Sequence, residues 1–494
     1  MSDSYSFDGG RFEPTWESLQ QYRCPEWFRD AKFGIWAHWG PQSGPMAGDW
    51  YARNMYMEGS AQYEHHLKHY GHPSEFGYKD IIPLWTAESF DPEFLMRKFV
   101  AAGAKYFTAM GVHHDNFDCW NSTHHKWNAV NYGPKRDIVG TWCRVAREHG
   151  LRFGVTEHLE RTLSWFSTNK GADKKGDRAG VPYDGNDPAH VELYMPPHDD
   201  TSLAYPRNPT EAWKEEWFAR IKDLVDQYQP DLLYTDGAVP FGEVGRRLVA
   251  HLYNSNEAAH GGSLEAVYTL KDLRSLDADR DVIHGDYVEG IGVRDVERGV
   301  IDGIWPTPWQ TDTSIGDWFY RTGDKYKSAA TVIHMLIDIV SKNGNLLLNV
   351  PQKPDGTYDD EVGAVLDGLT VWMGENGEAI YGTRPWQVYG EGSSGGSAEG
   401  HFGEGSIAYG PEDIRFTAKG GMLYAMVLGM PEGQVVVRSL ASGDHVVRSV
   451  SLLGADVELE FEQDGEGLRV TLPERIPESA ALALKVVAEE PFGE

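Results

Sequence analysis

Three cysteines in 494 residues, Cys24, Cys119 and Cys143, form no CxxC pair. So sparse a set excludes a disulfide framework and a cysteine zinc cluster, and suits a reducing compartment. Positive charge is also scarce: 45 Lys and Arg stand against 75 Asp and Glu, for a formal net charge of −30. Nucleic acid and anionic membranes both require basic surface, so neither is expected as a partner. No run of 18 apolar residues occurs, which excludes a spanning helix of ordinary length. The opening stretch MSDSYSFDGGRFEPTW has neither a basic segment nor an apolar one. It does not read as a secretory leader, and the expected location is the cytoplasm.

What is present is a regular alternation. Short apolar runs at 32–40, 104–114, 151–158, 230–237, 264–270, 281–289 and 343–351 read as strands. Helical spacing separates several of them, at 91–104, 211–228 and 326–344. Strands alternating with helices build a parallel sheet, and about eight such units close a (β/α)8 TIM-like barrel. The eighth strand is expected near 299–310. After about residue 385 the pattern changes to short alternating strands between Gly-rich turns, the mark of a C-terminal antiparallel β-sandwich. The expected division is a barrel over 1–385, with long strand-end loops, and a sandwich over 386–494. The Gly/Ser-rich stretch 389–406 reads as a linker or mobile loop. The long polar insertion 167–210 reads as an active-site loop.

Chemistry in such a barrel sits at the C-terminal ends of the strands. Those ends carry His38, the pair His113-His114, Glu157-His158 and Asp236, with Asp286 and Glu289 further on. Trp36, Trp39, Trp50, Trp305, Trp309 and Trp318 gather nearby in the chain. Aromatic faces stack on the C–H faces of sugars while polar groups read hydroxyls, so the set points to a carbohydrate site. A strand-end carboxylate such as Asp236 can attack an anomeric carbon, given a second carboxyl as acid and base.

Five stretches, EWFRDAKFGIWAHWGPQSGP, GAKYFTAMGVHHDNFDCWNS, PDLLYTDG, SIGDWFY and IVSKNGNLLLNVPQKPDGT, occur in order between about residues 15 and 385. Together they resemble the family 29 glycoside hydrolases, the α-L-fucosidases. The later DIRFTAKGGMLYAMVLG is similar to that family's β-sandwich domain. The resemblance implies a retaining exo-glycosidase that needs no cofactor and no metal, acting on an oligosaccharide or glycoside substrate. Asp236 then matches the nucleophile. Glu297 matches the loop glutamate that acts as acid and base, with Glu289 and Asp286 as alternatives. His38, Asp49, Trp50, His113, His114, Glu157 and Trp309 are the implied substrate contacts.

The chain departs from that pattern at three places. Asp49 stands where the family has Glu, Thr156-Glu157-His158 replaces a tyrosine motif, and Tyr268-Thr269-Leu270-Lys271 replaces an Asn/Ser-Arg motif. A glutamate facing the sugar would favour a 6-hydroxylated L-sugar, L-galactose or L-glucose, over 6-deoxy fucose. Two other readings stay open: a metal hydrolase using His38, His113, His114 and Asp236, and a non-catalytic carbohydrate-binding protein on a hydrolase scaffold. Transglycosylation and a homo-oligomer are likewise left open by the sequence.

Overall fold

The structure is a computed structural model. It describes residues 9–493 except 201, 203–204, 276–283, 393, 395–399, 405–406, 444, 456 and 477. Eight strands close a barrel in chain order: β1 Phe33–Ala37, β2 Tyr106–Val112, β3 Arg152–Glu157, β4 Leu232–Thr235, β5 Val267–Lys271, β6 Val293–Asp295, β7 Trp309–Ser314 and β8 Gly344–Asn349. Every neighbouring pair is parallel, β1 with β8 included. All seven residues of β2 and all six of β8 are buried, as expected for strands covered by helices outside and side chains inside.

Helix starts were written into the sequence. Asp91 precedes Pro92 and accepts from the Phe94 N–H at 2.9 Å, opening the helix Pro92–Ala101. Thr210 accepts from the Trp213 N–H at 3.2 Å and opens Glu211–Tyr228; Ser328 accepts from Thr331 at 3.1 Å and opens Ala329–Ser341. Each cap satisfies an N–H that the first helical turn leaves unpaired.

The expected sixth strand is corrected. Residues 281–283 lie outside the described residues, and 284–289 form no barrel strand; Asp286 only bridges Val239. The sixth strand is Val293–Asp295, and the run expected near 299–310 opens the seventh at Trp309. The true β6 has only three residues, too short to carry a period-two signal.

Beyond the barrel, β9 Gly390–Glu391, β10 Ile414–Lys419, β11 Met422–Val427, β13 Val447–Leu452, β14 Val457–Glu458 and β17 Leu482–Ala488 form a six-stranded sheet in the order β14-β13-β17-β11-β10-β9. A second sheet, β12-β16-β15, pairs Gln434–Val437, Gly467–Thr471 and Phe461–Asp464. All of these pairings are antiparallel. Phe416, Val427 and Leu484 of one sheet share a core with Val437 and Leu468 of the other. A buried ion triad ties this domain to the barrel. Asp338, on the helix Ala329–Ser341, accepts from Arg415 of β10 at 2.6 Å and from Lys342 at 2.8 Å. Among the described residues no helix is long and apolar enough to cross a membrane.

Candidate active site

Asp236 sits one residue past β4, where the ladder to β3 ends with its N–H directed at the Glu157 carbonyl. Gly237 follows, and its missing side chain matters: a Cβ there would lie 3.1 Å from the His284 carbonyl oxygen. The chain can therefore turn close beneath the loop after β5 and leave the Asp236 carboxylate at the barrel mouth.

That carboxylate is densely partnered. Lys271, the last residue of β5, donates to Asp236 Oδ1 at 2.7 Å. Arg161 Nη2 lies 3.3 Å from Oδ2, as His114 Nε2 and His158 Nδ1 do at 3.4 Å. Burial alone would raise the Asp236 pKa, but the Arg161 and Lys271 charges outweigh it and hold the carboxyl well below its usual range.

The same Lys271 ammonium donates to Glu297 Oε2 at 2.7 Å. Glu297 follows β6, and its neighbours Val296 and Arg298 donate to the Gln310 and Asp312 carbonyls at 2.9 and 2.7 Å, so the loop stays zipped to β7. Two contacts of 2.7 Å on one nitrogen place the Asp236 and Glu297 oxygens no further apart than twice that length. Burial pushes the Glu297 pKa up; Lys271 opposes this, and the Asp312 and Asp236 charges reinforce it. Two carboxyls thus share one site with their pKa values driven apart, one down and one up.

The histidines after β2 are set as a donor and an acceptor. The β2–β3 register slips between Met110 and Val112, and past this bulge His113 and His114 both line the cavity. Gln42 Oε1 accepts from the Ala52 N–H at 3.2 Å, so its amide nitrogen is the group that donates to His113 Nδ1 at 2.8 Å. His113 then carries its proton on Nε2. His114 Nδ1 donates to the His158 carbonyl, and burial pulls the ring down to about 3, which leaves Nε2 unprotonated. Neither nitrogen of the buried His38 ring has a protein partner. Asp49 is pushed well up by burial and then by Asp317, and its Oδ1 is buried without a partner.

These groups surround a cavity of about 360 Å³ at the strand ends. Trp36, Trp50 and Trp318 supply its aromatic walls, and Tyr234, Leu273, His284, Asp312 and Phe402 complete it. Trp36 and Trp318 pack with ring centroids 5.3 Å apart. Trp50 holds a left-handed φ of 60°, with the Arg53 guanidinium 4.9 Å from its ring.

A family model of α-L-fucosidases matches residues 2–378, and one of the α-L-fucosidase C-terminal domain matches residues 410–487. The chain belongs to the α-L-fucosidase family. As a member of that family it is a glycoside hydrolase. Tissue α-L-fucosidase of Bos taurus is 29% identical over 484 residues, covering 95% of this chain and 89% of its own. Plasma α-L-fucosidase of Pongo abelii is 31% identical over 391 residues, covering 76% and 74%. The crystal structure of Thermotoga maritima α-fucosidase in complex with fucose superposes with a TM-score of 0.72 at 28% identity, covering 97% of this chain and 100% of that one.

In this fucosidase-family chain the structure brings His38, Asp49, Trp50, His113, His114, Asp236 and Glu297 to one cavity. Glu157 and Trp309 lie elsewhere. Glu157 turns away from the cavity, where Oε2 accepts from the Trp217 indole and the Leu159 N–H, both at 3.1 Å. Its pKa is pushed up to about 7 by burial. Alternation along the chain explains the swap: with Glu157 on one side, the next residue, His158, faces the cavity. A preference for a 6-hydroxylated sugar required Glu157 at the sugar, and its carboxylate is instead bound to Trp217 and Leu159. Trp309 is buried at the far end of β7 and donates to the Lys342 carbonyl at 2.8 Å; the cavity tryptophan of this region is Trp318. Asp286 and Glu289 are exposed and line no part of the cavity.

Sequence reasoning missed Lys271, Arg161, Asp312 and Phe402, and set His158 among the strand-end residues without giving it a role. A lysine closing a buried strand was a legible signal for Lys271. Arg161 gave none, because it sits in a short helical turn after β3. The described part of 167–210 supplies no wall residue; it is stapled to 56–78 through Asp173, bonded to Tyr63 and His72, and Asp184, bonded to Tyr56. The stretch 389–406, expected as a linker or mobile loop, brings one of its described residues to the site: Phe402 lines the cavity and donates its N–H to the Glu297 carbonyl at 2.9 Å.

Three groups of side chains approach metal-binding spacing among the described residues: His113-His114-His158, His38-Asp49-His113 and His114-Glu160-Asp236, each with ligand atoms within 4.8 Å of one another. At Asp236 a metal ion would compete with two cations already paired to the same carboxylate.

Proposed function

We propose that this chain hydrolyses terminal α-L-fucosides with retention of configuration, through a covalent fucosyl-Asp236 ester. The observation that carries the reading is the Lys271 ammonium held 2.7 Å from both Asp236 and Glu297. It keeps the two carboxyl groups within the roughly 5–5.5 Å that a retaining enzyme requires, too close for a water molecule between them and the sugar. The substrate class follows from the family and from the fucose-bound relative.

Asp236, ionised by Arg161 and Lys271, attacks the anomeric carbon as the glycosidic bond breaks. Glu297, its pKa raised by burial and by the neighbouring carboxylates, delivers its proton to the departing oxygen. Esterification removes the Asp236 charge, which was one of the influences raising Glu297. The Glu297 pKa then falls as its task changes to that of a base. It takes a proton from water, the water oxygen bonds to the anomeric carbon, and the Asp236 carboxylate leaves. His38, His113, His114 and Asp49 orient the sugar hydroxyls, His113 as donor and His114 as acceptor.

Incubation with 2-deoxy-2-fluoro-α-L-fucosyl fluoride, followed by peptide mass mapping, tests this. The expected adduct is on Asp236, and nuclear magnetic resonance of an early reaction mixture shows α-L-fucose before its anomer. A label on another side chain, or β-L-fucose as first product, overturns it.

A further inference from the structure

Phe402 is 58% exposed, yet it lines the catalytic cavity. It also holds a left-handed φ of 64°, a conformation bulky side chains avoid. A single exposed apolar residue needs no explanation, but a strained one pinned in place at a reaction centre does.

The pinning is extensive. Val300 and Gly400 exchange backbone hydrogen bonds at 3.3 and 2.8 Å. Glu297 donates its N–H to His401 Nδ1 at 3.0 Å, and its carbonyl accepts from Phe402. The second nitrogen of His401 donates to the Asp272 carbonyl at 3.3 Å, beside Leu273 in the cavity wall. Glu404 accepts from Thr313 at 2.6 Å and pairs with Lys327 at 2.9 Å. A segment from the approach to the C-terminal domain is therefore laced to the loop that carries Glu297.

If Glu297 protonates the glycosidic oxygen, as proposed above, the leaving group departs on the Glu297 side of the sugar. Asp236 attacks the opposite face. The side next to Glu297 is where Phe402 and Leu273 present apolar surface. We propose that Phe402 is the stacking platform of a leaving-group subsite, taking the C–H face of a pyranose aglycone. The chain is thereby adapted to fucose attached to another sugar rather than to small aglycones.

Phe402→Ala and Phe402→Trp, with wild type, are assayed on an α-L-fucosyl disaccharide and on methyl α-L-fucoside, whose leaving group needs the same protonation but is too small to reach the platform. The expected result is a ratio of kcat/KM, disaccharide over methyl fucoside, that falls at least tenfold in Phe402→Ala, chiefly through KM, and recovers in Phe402→Trp. An equal proportional loss on both substrates would mean that Phe402 only props Glu297, and overturns the platform, as does an unchanged ratio. Circular dichroism and thermal melts confirm that each variant is folded. A wild-type enzyme inert on both substrates overturns the reading of the site itself, and this proposal with it.

Discussion

Lys271 stands 2.7 Å from Asp236 and 2.7 Å from Glu297, with Asp312 3.7 Å away. Burial lowers its pKa, but the carboxylates around it win and hold the ammonium charged well above its ordinary range. One cation therefore bears on the protonation of both carboxyls that the mechanism uses.

Removing that cation shifts both limbs of the pH profile the same way. Lys271 lowers the pKa of Asp236 and of Glu297. In Lys271→Met both rise, so the acid limb of kcat/KM, which requires ionised Asp236, and the basic limb, which requires protonated Glu297, both move to higher pH. The rate on an aryl α-L-fucoside falls about a hundredfold to a thousandfold. Steady-state profiles between pH 4 and pH 9 check it; limbs that stay in place would show that Lys271 does not control the pair.

Glu297→Ala separates substrates by leaving group. Natural glycosides, whose oxygen needs a proton, lose about a hundredfold to ten-thousandfold, whereas aryl fucosides with acidic phenols lose far less. Azide restores turnover and yields α-L-fucosyl azide, since the ester on Asp236 still forms. A uniform loss across leaving groups, with no azide product, would place the acid elsewhere.

Glu157 makes stability depend on pH. Its pKa in the folded chain is about 7, against an ordinary 4.5. The folded state holds the proton more tightly, so between those values it binds more protons than the unfolded chain and stability falls as pH rises, by up to about 3 kcal/mol. Asp115, raised to about 7, and Asp118, raised to about 6, act in the same direction. Glu157→Gln should show a shallower decline in melting temperature from pH 5 to pH 8 than wild type. An identical slope would mean that Glu157 is ionised throughout.

Asp338→Ala leaves two buried cations, Arg415 and Lys342, facing a hole where the carboxylate was. The expected cost is about 3–5 kcal/mol, with kcat/KM at low temperature retained within a few-fold because the triad lies outside the cavity. Scanning calorimetry reads the first and a fucoside assay the second. A melting temperature within a degree of wild type would show that the triad adds nothing to holding the domain on the barrel.

Much of this molecule is determined locally. Apolar runs of four to seven residues, an Asp-Pro or a Thr before a helix and a change of period near residue 385 are short-range features. They made the barrel, the sandwich and the position of Asp236 legible from the chain, because burial of a strand and capping of a helix depend on neighbours within a few residues. The three-residue β6 escaped for the same reason: it exists only because β5 and β7 leave a gap that it fills.

The charges around the nucleophile were decided in three dimensions. Lys271 comes from β5, Arg161 from the turn after β3, Glu297 from the loop after β6 and Phe402 from a stretch more than a hundred residues beyond Glu297. Their pKa directions arise from distances between side chains that no spacing along the chain encodes. Whether Glu157 or His158 meets the cavity turned on a single step of strand alternation. Hydrophobic patterning therefore determined which scaffold forms, while long-range contacts around one cavity decided which of many acids, bases and aromatics could act together.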